Sequence, residues 1–220
     1  MCTVGLYGAI PPDDFAPVIV DGAQHWLAAG DSCGIGMAIS FDPTKNLPAS
    51  GNGGAIVTNL YGMYDFARKY KNHGKSKFDT VGTNSKMSEL DCAHLLVRTN
   101  YIGDWQSRRE QIAQYYLEQF KDLPIRCLRD KKQKHANQKF VIYYNERNAL
   151  SQHLLDNGIE VKIHYEKALS ELGISNNMPK PDILSTSVLL TRGVLSLPIF
   201  PELSDNEVEY IAHKVQTFFN

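Results

Sequence analysis

The sequence predicts an α/β protein made of a mainly parallel sheet followed by a smaller α+β domain. Three observations lead to this prediction. Short β-branched runs punctuated by glycine dominate the first hundred residues, a glycine-rich reversal at residues 51–54 follows one of them, and amphipathic helical stripes dominate the rest. We therefore place the sheet domain in residues 1–100, and a linking helix with the α+β domain in residues 101–220.

Strands in the first part are expected where short apolar runs end at glycine, proline or aspartate. Residues 51–54 are Gly-Asn-Gly-Gly, so the strand that follows them should run antiparallel to the one before. Helices are expected where apolar residues recur every three or four positions. The expected strands are residues 3–7, 17–21, 37–41 and 54–58, and the expected helices are residues 61–70 and 88–98.

The second part predicts an alternation of helices and short strands. A helical stripe begins near Trp105 and continues to Phe120. A capping box, Ser204 with Glu207, begins the last helix. Between these helices we expect a strand at residues 140–144, a helix at residues 146–157 that ends at Gly158, and a half-exposed strand at residues 159–163.

Composition argues against several classes of function. Lys plus Arg (23) nearly balance Asp plus Glu (24), so no basic surface for nucleic acid or an anionic membrane is expected. No apolar run is long enough to span a membrane, and the N-terminus lacks the basic stretch of a signal peptide. The four cysteines are scattered, with no C-x-x-C pair and no histidine at zinc-ligand spacing. We therefore expect a cytoplasmic protein with reduced thiols and no metal site.

A single lysine, Lys45, lies in a turn that Pro43 initiates, between a predicted strand and the glycine-rich reversal. Upstream, the β-branched run of residues 18–20 ends in Asp21, which should lie at the tip of a strand. A lysine facing a strand-end acid suits chemistry with pyridoxal phosphate. The amine would attack the cofactor's aldehyde, and the acid would keep its pyridine nitrogen protonated. Taken separately, Lys45 is more simply an exposed turn lysine, and Asp21 a carboxylate that ends a strand.

Further motifs occur in a fixed order along the chain. They are Asp21-Gly22-Ala23-Gln24, Ser40-Phe41-Asp42-Pro43-Thr44-Lys45-Asn46, residues 53–58 (GGAIVT), His73-Gly74, residues 82–87 (GTNSKM), Gly158-Ile159 with His164-Tyr165, and residues 197–204 (LPIFPELS). In these motifs the chain resembles the DegT/DnrJ/EryC1/StrS family of pyridoxal-phosphate sugar aminotransferases, which have the type I aminotransferase fold. The resemblance implies transfer of an amino group from an amino acid such as glutamate to a nucleotide-linked keto sugar, as in polysaccharide or antibiotic-sugar synthesis.

The resemblance also implies a role for each matching residue. Lys45 would hold the cofactor covalently and then act as general base and acid. Asp21 would pair with the pyridine nitrogen, and Gln24 would lie near the ring oxygen. Ser40 would donate a hydrogen bond to the phosphate. Asn84 would reach the phosphate of the neighbouring subunit's cofactor, which implies a shared site in a dimer.

Other residues fit the family pattern less closely. His73 and His164 are candidates for substrate contacts, and a structural or solvated histidine is an equally good interpretation of each. Beside Asn84, Thr83 stands where an aromatic residue is usual and Lys86 where arginine is usual. Lysine keeps the charge of arginine but loses its two-pronged hydrogen bonding. A related branch of sugar dehydratases has histidine in place of the Schiff-base lysine, so Lys45 argues against that branch.

The sequence further predicts that the cofactor domain is incomplete. Strands of a mainly parallel sheet need helices over both faces, yet residues 22–36 contain no convincing helix. Family members also begin well upstream of this chain, with a segment that normally supplies a phosphate cradle and an aromatic residue stacked on the cofactor ring. Two functions therefore stay open: an enzyme completed by an N-terminal half-protein, or a truncated, non-catalytic remnant. Uncovered strands predict a homodimer or a complex with such a half-protein.

Overall fold

The computed structural model describes residues 2–10, 19–30, 34–75, 79–129, 134–175 and 186–220. The chain divides into two compact units. Unit 1 comprises Met1–Ser107 and Gln133–Gln138, and unit 2 comprises Arg108–Lys132 and Lys139–Asn220. The chain thus enters unit 2, returns to unit 1 for one short stretch, and then completes unit 2.

Unit 1 contains a four-stranded sheet. Its strands are Cys2–Val4 (β1), Ile19–Asp21 (β2), Gly36–Ser40 (β3) and Gly54–Val57 (β4). They lie in this order across the sheet; β1, β2 and β3 are parallel, whereas β4 is antiparallel to β3. The predicted α/β class and the predicted reversal at residues 51–54 are confirmed. Residues 17 and 18 of the second predicted strand lie outside the described ranges.

Three helices follow the sheet: Tyr61–Tyr70 (α1), Glu89–Thr99 (α2) and Ile102–Gln119 (α3), which continues into unit 2. The predicted helices at residues 61–70 and 88–98 are confirmed. Ser88 caps α2, because its Oγ accepts a hydrogen bond from Asp91 N at 3.1 Å. Between β2 and β3, residues 22–30 form turns and no helix, as the sequence predicts. Apart from Ala136, the buried apolar residues described in unit 1 form two small clusters, Val20 with Met37, and Leu47 with Ala49 and Leu95.

Unit 2 is built around an antiparallel sheet and three further helices. The strands are Arg126–Cys127 (β5), Phe140–Tyr143 (β6) and Val194–Leu197 (β7), with β6 in the centre. The helices are Arg147–Asp156 (α4), Thr186–Gly193 (α5) and Asp205–Phe218 (α6). They share one large core with the second half of α3. None of the helices in the described part of the chain combines the length and apolar character needed to cross a bilayer.

The second part of the chain confirms most of its predicted elements. The strand at residues 140–144, the helix at residues 146–157 and the capping box of the last helix are all present. The predicted strand at residues 159–163 is wrong. In this stretch only Lys162 pairs with another strand, through an isolated bridge to Ser196 of β7.

Candidate active site

Asp21 and Ser40 lie at the ends of two neighbouring parallel strands. Asp21 is paired in register with Ala38 of β3, so the two side chains share one face of the sheet. Ser40 is two residues beyond Ala38 and therefore lies on that face as well. The Cα atoms of Asp21 and Ser40 are about 8 Å apart, because they lie on neighbouring strands and are offset by two residues along the strand direction. Ala38 is exposed, so a small methyl group lies between an acid and a hydroxyl on an open surface.

Lys45 closes a tight turn directly after β3. Its backbone N–H donates to Asp42 O at 2.9 Å, and Pro43 occupies the second position of the turn, as predicted. Asp42 Oδ1 accepts from Thr44 N at 2.8 Å and from Thr44 Oγ1 at 2.5 Å. The bonds to Thr44, together with the charge of Lys45, lower the pKa of Asp42 below its ordinary value. Lys45 is half-buried, and its amine makes no hydrogen bond or ion pair with another described residue.

A segment from far along the chain packs against this turn; we call residues 135–138 the return segment. Asn46 Nδ2 donates to Ala136 O at 2.6 Å, and Gln138 Nε2 donates to Thr44 O at 3.0 Å. Both amide side chains are buried. The return segment was not found from the sequence. No local signal identifies it, because the contacts join residues 90 and 94 positions apart.

Gln24 contacts the loop that follows β1. Its Oε1 accepts from Tyr7 N at 2.5 Å, where Tyr7 has a positive φ of 62°. Its amide nitrogen makes no hydrogen bond to another described residue and is the group left to meet a ligand oxygen. Asp21 Oδ1 accepts from Ala23 N at 3.0 Å, which fixes the carboxylate at the strand end.

His25, beside these residues, was also not singled out from the sequence. It is fully buried, and burial lowers its pKa although the charge and the backbone carbonyl of Asp21 act to raise it. An ideal Cβ on Gly5 would lie 1.8 Å from His25 Nδ1, so only glycine leaves room for the ring. Its adjacency to Gln24 in the sequence is the one signal that could have indicated it.

Asn84 and His73 lie together on a loop after α1. Asn84 forms a bridge with Asn72, and His73 N donates to Thr83 O at 3.0 Å. His73 has a positive φ of 60°, and both side chains are exposed. Among the described residues, no contact joins either side chain to Lys45, so the chain itself does not bring these two predicted site residues to the lysine.

His164, the remaining predicted site residue, belongs to unit 2. Its Nδ1 and the Ser196 Oγ of β7 are hydrogen-bonded at 2.8 Å. Burial, assisted by the charges of Lys139 and Lys162, lowers its pKa from 6.5 to about 4. His164 is therefore neutral at neutral pH and is held by the sheet of unit 2.

Asp21, Gln24, Ser40 and Lys45 offer groups that fit pyridoxal phosphate. Asp21 offers a carboxylate for a protonated ring nitrogen, and Gln24 offers an amide N–H for a ring oxygen. The exposed methyl of Ala38 leaves space for a flat ring between Asp21 and Ser40. Lys45 supplies a primary amine that makes no hydrogen bond or ion pair with a described residue. The donors, the acceptor and the open face suit this cofactor.

Comparison with known proteins points in the same direction. A sequence model of the DegT/DnrJ/EryC1/StrS aminotransferase family matches residues 18–216. The EryC1 protein of Saccharopolyspora erythraea, an "erythromycin biosynthesis sensory transduction protein", is 34% identical over 85% of this chain and 52% of its own length. A dTDP-3-amino-3,6-dideoxy-α-D-galactopyranose transaminase of Aneurinibacillus thermoaerophilus is 34% identical over 86% of this chain and 52% of its own length.

A solved structure shows the same fold. A DegT/DnrJ/EryC1/StrS aminotransferase from Brucella abortus superimposes with a TM-score of 0.91 at 26% identity, covering 100% of this chain and 64% of that one. The chain thus spans about half the length of the curated relatives described above.

Proposed function

This chain belongs to the DegT/DnrJ/EryC1/StrS aminotransferase family, and we propose that it carries the lysine-bearing part of a sugar-nucleotide aminotransferase. Aminotransferases of this family depend on pyridoxal phosphate. The observation that carries the proposal is the placement of Asp21 and Ser40 on one open sheet face, directly before the turn of Lys45. This arrangement offers an acid, a hydroxyl and a free amine to one small ligand.

Each residue has a defined task in this proposal. Bound pyridoxal phosphate supplies an electron sink that makes the α-hydrogen of an amino acid acidic. Asp21 keeps the ring nitrogen protonated, Gln24 donates to the ring oxygen, and Ser40 donates to the phosphate. Lys45 would hold the cofactor through its Nζ. Once the amino donor displaces it, the same amine would move a proton between the substrate α-carbon and the cofactor's C4′ carbon.

The proposed substrates are a nucleotide-linked keto sugar and an amino-acid donor, which we take to be glutamate. Support for the sugar comes from the transaminase of Aneurinibacillus thermoaerophilus, whose name specifies a dTDP-linked amino sugar. His73 and His164 are the proposed substrate contacts. His164 is neutral at neutral pH and can therefore accept as well as donate a hydrogen bond.

We further propose that the site is completed by another polypeptide, either a second copy of the chain or an N-terminal half-protein. Asn84 is exposed and does not contact Lys45, so its proposed phosphate contact would reach the cofactor of a neighbouring subunit. Helix α1 has no buried residue although it carries Tyr61, Phe66 and Tyr70. An exposed apolar surface of this kind supports association with a partner. A chain that acts only in such a complex is the second candidate function.

Covalent trapping tests the assignment of Lys45. The full chain is incubated with pyridoxal phosphate, reduced with borohydride and mapped by mass spectrometry. The wild type is expected to carry the label on Lys45. Lys45→Arg should carry no label at position 45, because a guanidinium does not attack the aldehyde. Lys71→Arg, at the exposed residue directly after α1, is the matched control and should label as the wild type does. Equal labelling of Lys45→Arg would contradict the proposal.

A further inference from the structure

The two neighbours of Lys45 are both bound to the return segment. Thr44 O accepts from Gln138 Nε2 at 3.0 Å, and Asn46 Nδ2 donates to Ala136 O at 2.6 Å. We propose that the return segment positions the Lys45 amine for its attack on the cofactor, with Asn46 and Gln138 as positioning residues. This inference rests on the proposed function, since it concerns how the lysine is presented.

The backbone of Lys45 is what determines where its amine can reach. The amine makes no hydrogen bond or ion pair with another described residue, so no side-chain contact holds it in place. The bonds between Asp42 and Thr44 are internal to the turn and do not attach the turn to the rest of unit 1. The hydrogen bonds of Thr44 and Asn46 to the return segment attach the turn to unit 1 on both sides of the lysine. Attack on a bound carbonyl needs near-contact geometry, and a loose turn would lower the rate.

The return segment is itself anchored within unit 1. Ala136 N donates to Gly8 O at 2.9 Å, and an isolated bridge joins Ala9 to His135. Gln106 Nε2 donates to His135 O at 3.3 Å, and Gln106 Oε1 accepts from Asn46 Nδ2 at 3.3 Å. The return segment thus connects the turn of Lys45 to the loop after β1. The side chain of Gln24 is hydrogen-bonded to the same loop.

The chemistry of the two amides makes the idea testable without unfolding the chain. Each amide nitrogen faces a backbone carbonyl, which can only accept, so the nitrogen position is fixed. The opposite oxygens, Asn46 Oδ1 and Gln138 Oε1, are buried without a partner among the described residues. Gln138→Met therefore removes the bond to Thr44 together with an unsatisfied buried acceptor, at nearly constant side-chain size. Overall stability should change little or rise.

The experiment compares the wild type, Gln138→Met, Asn46→Asp and a matched control, Gln152→Met. Gln152 is an exposed glutamine of α4 whose Nε2 donates to Asp156 Oδ1 at 2.8 Å, in unit 2. Asn46→Asp keeps the shape of the side chain but removes its donor. Three quantities are measured on the full chain: the melting temperature, amide hydrogen exchange over residues 42–47, and the rate of borohydride-trapped pyridoxal phosphate attachment at Lys45.

For Gln138→Met and Asn46→Asp we expect exchange at Thr44 and Lys45 to rise about fivefold, and attachment to slow by a similar factor. The melting temperature of Gln138→Met should be unchanged or higher, and Gln152→Met should match the wild type throughout. A purely structural role would instead lower the melting temperature without a local rise in exchange. Unchanged exchange in both variants, or increased exchange with an unchanged attachment rate, would overturn the inference.

The two hypotheses fail separately. If wild-type Lys45 takes up no cofactor, the proposed function fails. The exchange measurement alone then decides the inference: a local rise in Gln138→Met supports restraint of the turn by the return segment, and its absence refutes it.

Discussion

At the scale of single residues, His164 stays neutral in the folded chain at pH values where an unfolded chain would carry a charge. Its pKa is lowered from 6.5 to about 4, chiefly by burial and then by Lys139 and Lys162. A depressed pKa contributes stability that is complete above 6.5 and is lost as the pH falls from 6.5 towards 4. The buried His25 is shifted in the same direction, so a variant at His164 is needed to isolate its contribution.

We predict that the difference in unfolding free energy between the wild type and His164→Asn changes with pH in this window. The wild type should lose stability relative to the variant between pH 6.5 and pH 4. The slope should stay below about 1.4 kcal/mol per pH unit, the limit for a single proton, and partial exposure of His164 should lower it further. Urea unfolding at half-unit pH steps measures the difference. A difference that is flat from pH 7 to pH 4 would show that His164 titrates as in the unfolded chain.

Residues of the site differ in how far the sequence could predict them. Local patterns place Asp21 and Ser40 in strands and Lys45 in a turn, and the structure has them there. The amide contact of Asn46 could not be predicted, since its partner Ala136 lies 90 residues away and contributes only a backbone carbonyl. A contact made by backbone atoms carries no side-chain pattern in the sequence.

At the scale of secondary-structure elements, α6 depends on its capping box. Ser204 Oγ accepts from Glu207 N at 3.3 Å, and Glu207 Oε2 accepts from Ser204 N at 2.8 Å. The helix buries Val208, Ile211 and Val215 in the core of unit 2, so fraying of its first turn loosens that core.

We predict that Ser204→Ala lowers the unfolding free energy of unit 2 by about 1 kcal/mol, because the cap is lost. Thr217→Ala is the control: Thr217 Oγ1 bonds Lys214 O at 3.2 Å near the other end of α6, and its loss should change stability by less than about 0.5 kcal/mol. Chemical denaturation followed by circular dichroism compares them. Equal midpoints for the two variants would contradict a stabilising role of the cap.

The elements of unit 2 show where periodicity misleads. Ile159, Val161 and Ile163 alternate with polar residues, which predicts a strand, yet only Lys162 pairs with β7. Conversely, all four residues of β7 are buried, so no alternation marks it as a strand. A short apolar run does not distinguish helix from strand, and the run that contains α5 and β7 changes from one to the other within a few residues.

At the scale of the whole molecule, unit 1 exposes much of its apolar surface. Tyr61 is 78% exposed, Ile56 of β4 is 60% exposed and Phe66 is 55% exposed. Among the rings of the described residues, Phe66 stacks only on Tyr70 of the same helix, with ring centroids 5.7 Å apart. Surface of this kind on an edge strand and an adjoining helix favours association.

We predict that the purified chain self-associates, and that Phe66→Glu weakens this association about tenfold or more by placing a charge on the apolar surface of α1. Leu169→Glu is the control, since Leu169 is 81% exposed in unit 2. Sedimentation velocity at micromolar concentration measures both variants. A monodisperse wild-type monomer would contradict the prediction, as would equal weakening by the two substitutions.

The return of residues 133–138 to unit 1 limits how this chain can exchange parts with its relatives. A chimera of two relatives whose crossover lies between residues 108 and 132 takes the turn of Lys45 from one parent. It takes the return segment, which binds that turn, from the other parent. Each parent then contributes one of the two amide donors, Asn46 or Gln138, and a parent with a residue that cannot donate at its position loses that bond. Crossovers beyond residue 139 keep both halves together. A crossover that preserves both contacts of the Lys45 turn must therefore lie after residue 138, and not at residue 107, where the first stretch of unit 1 ends.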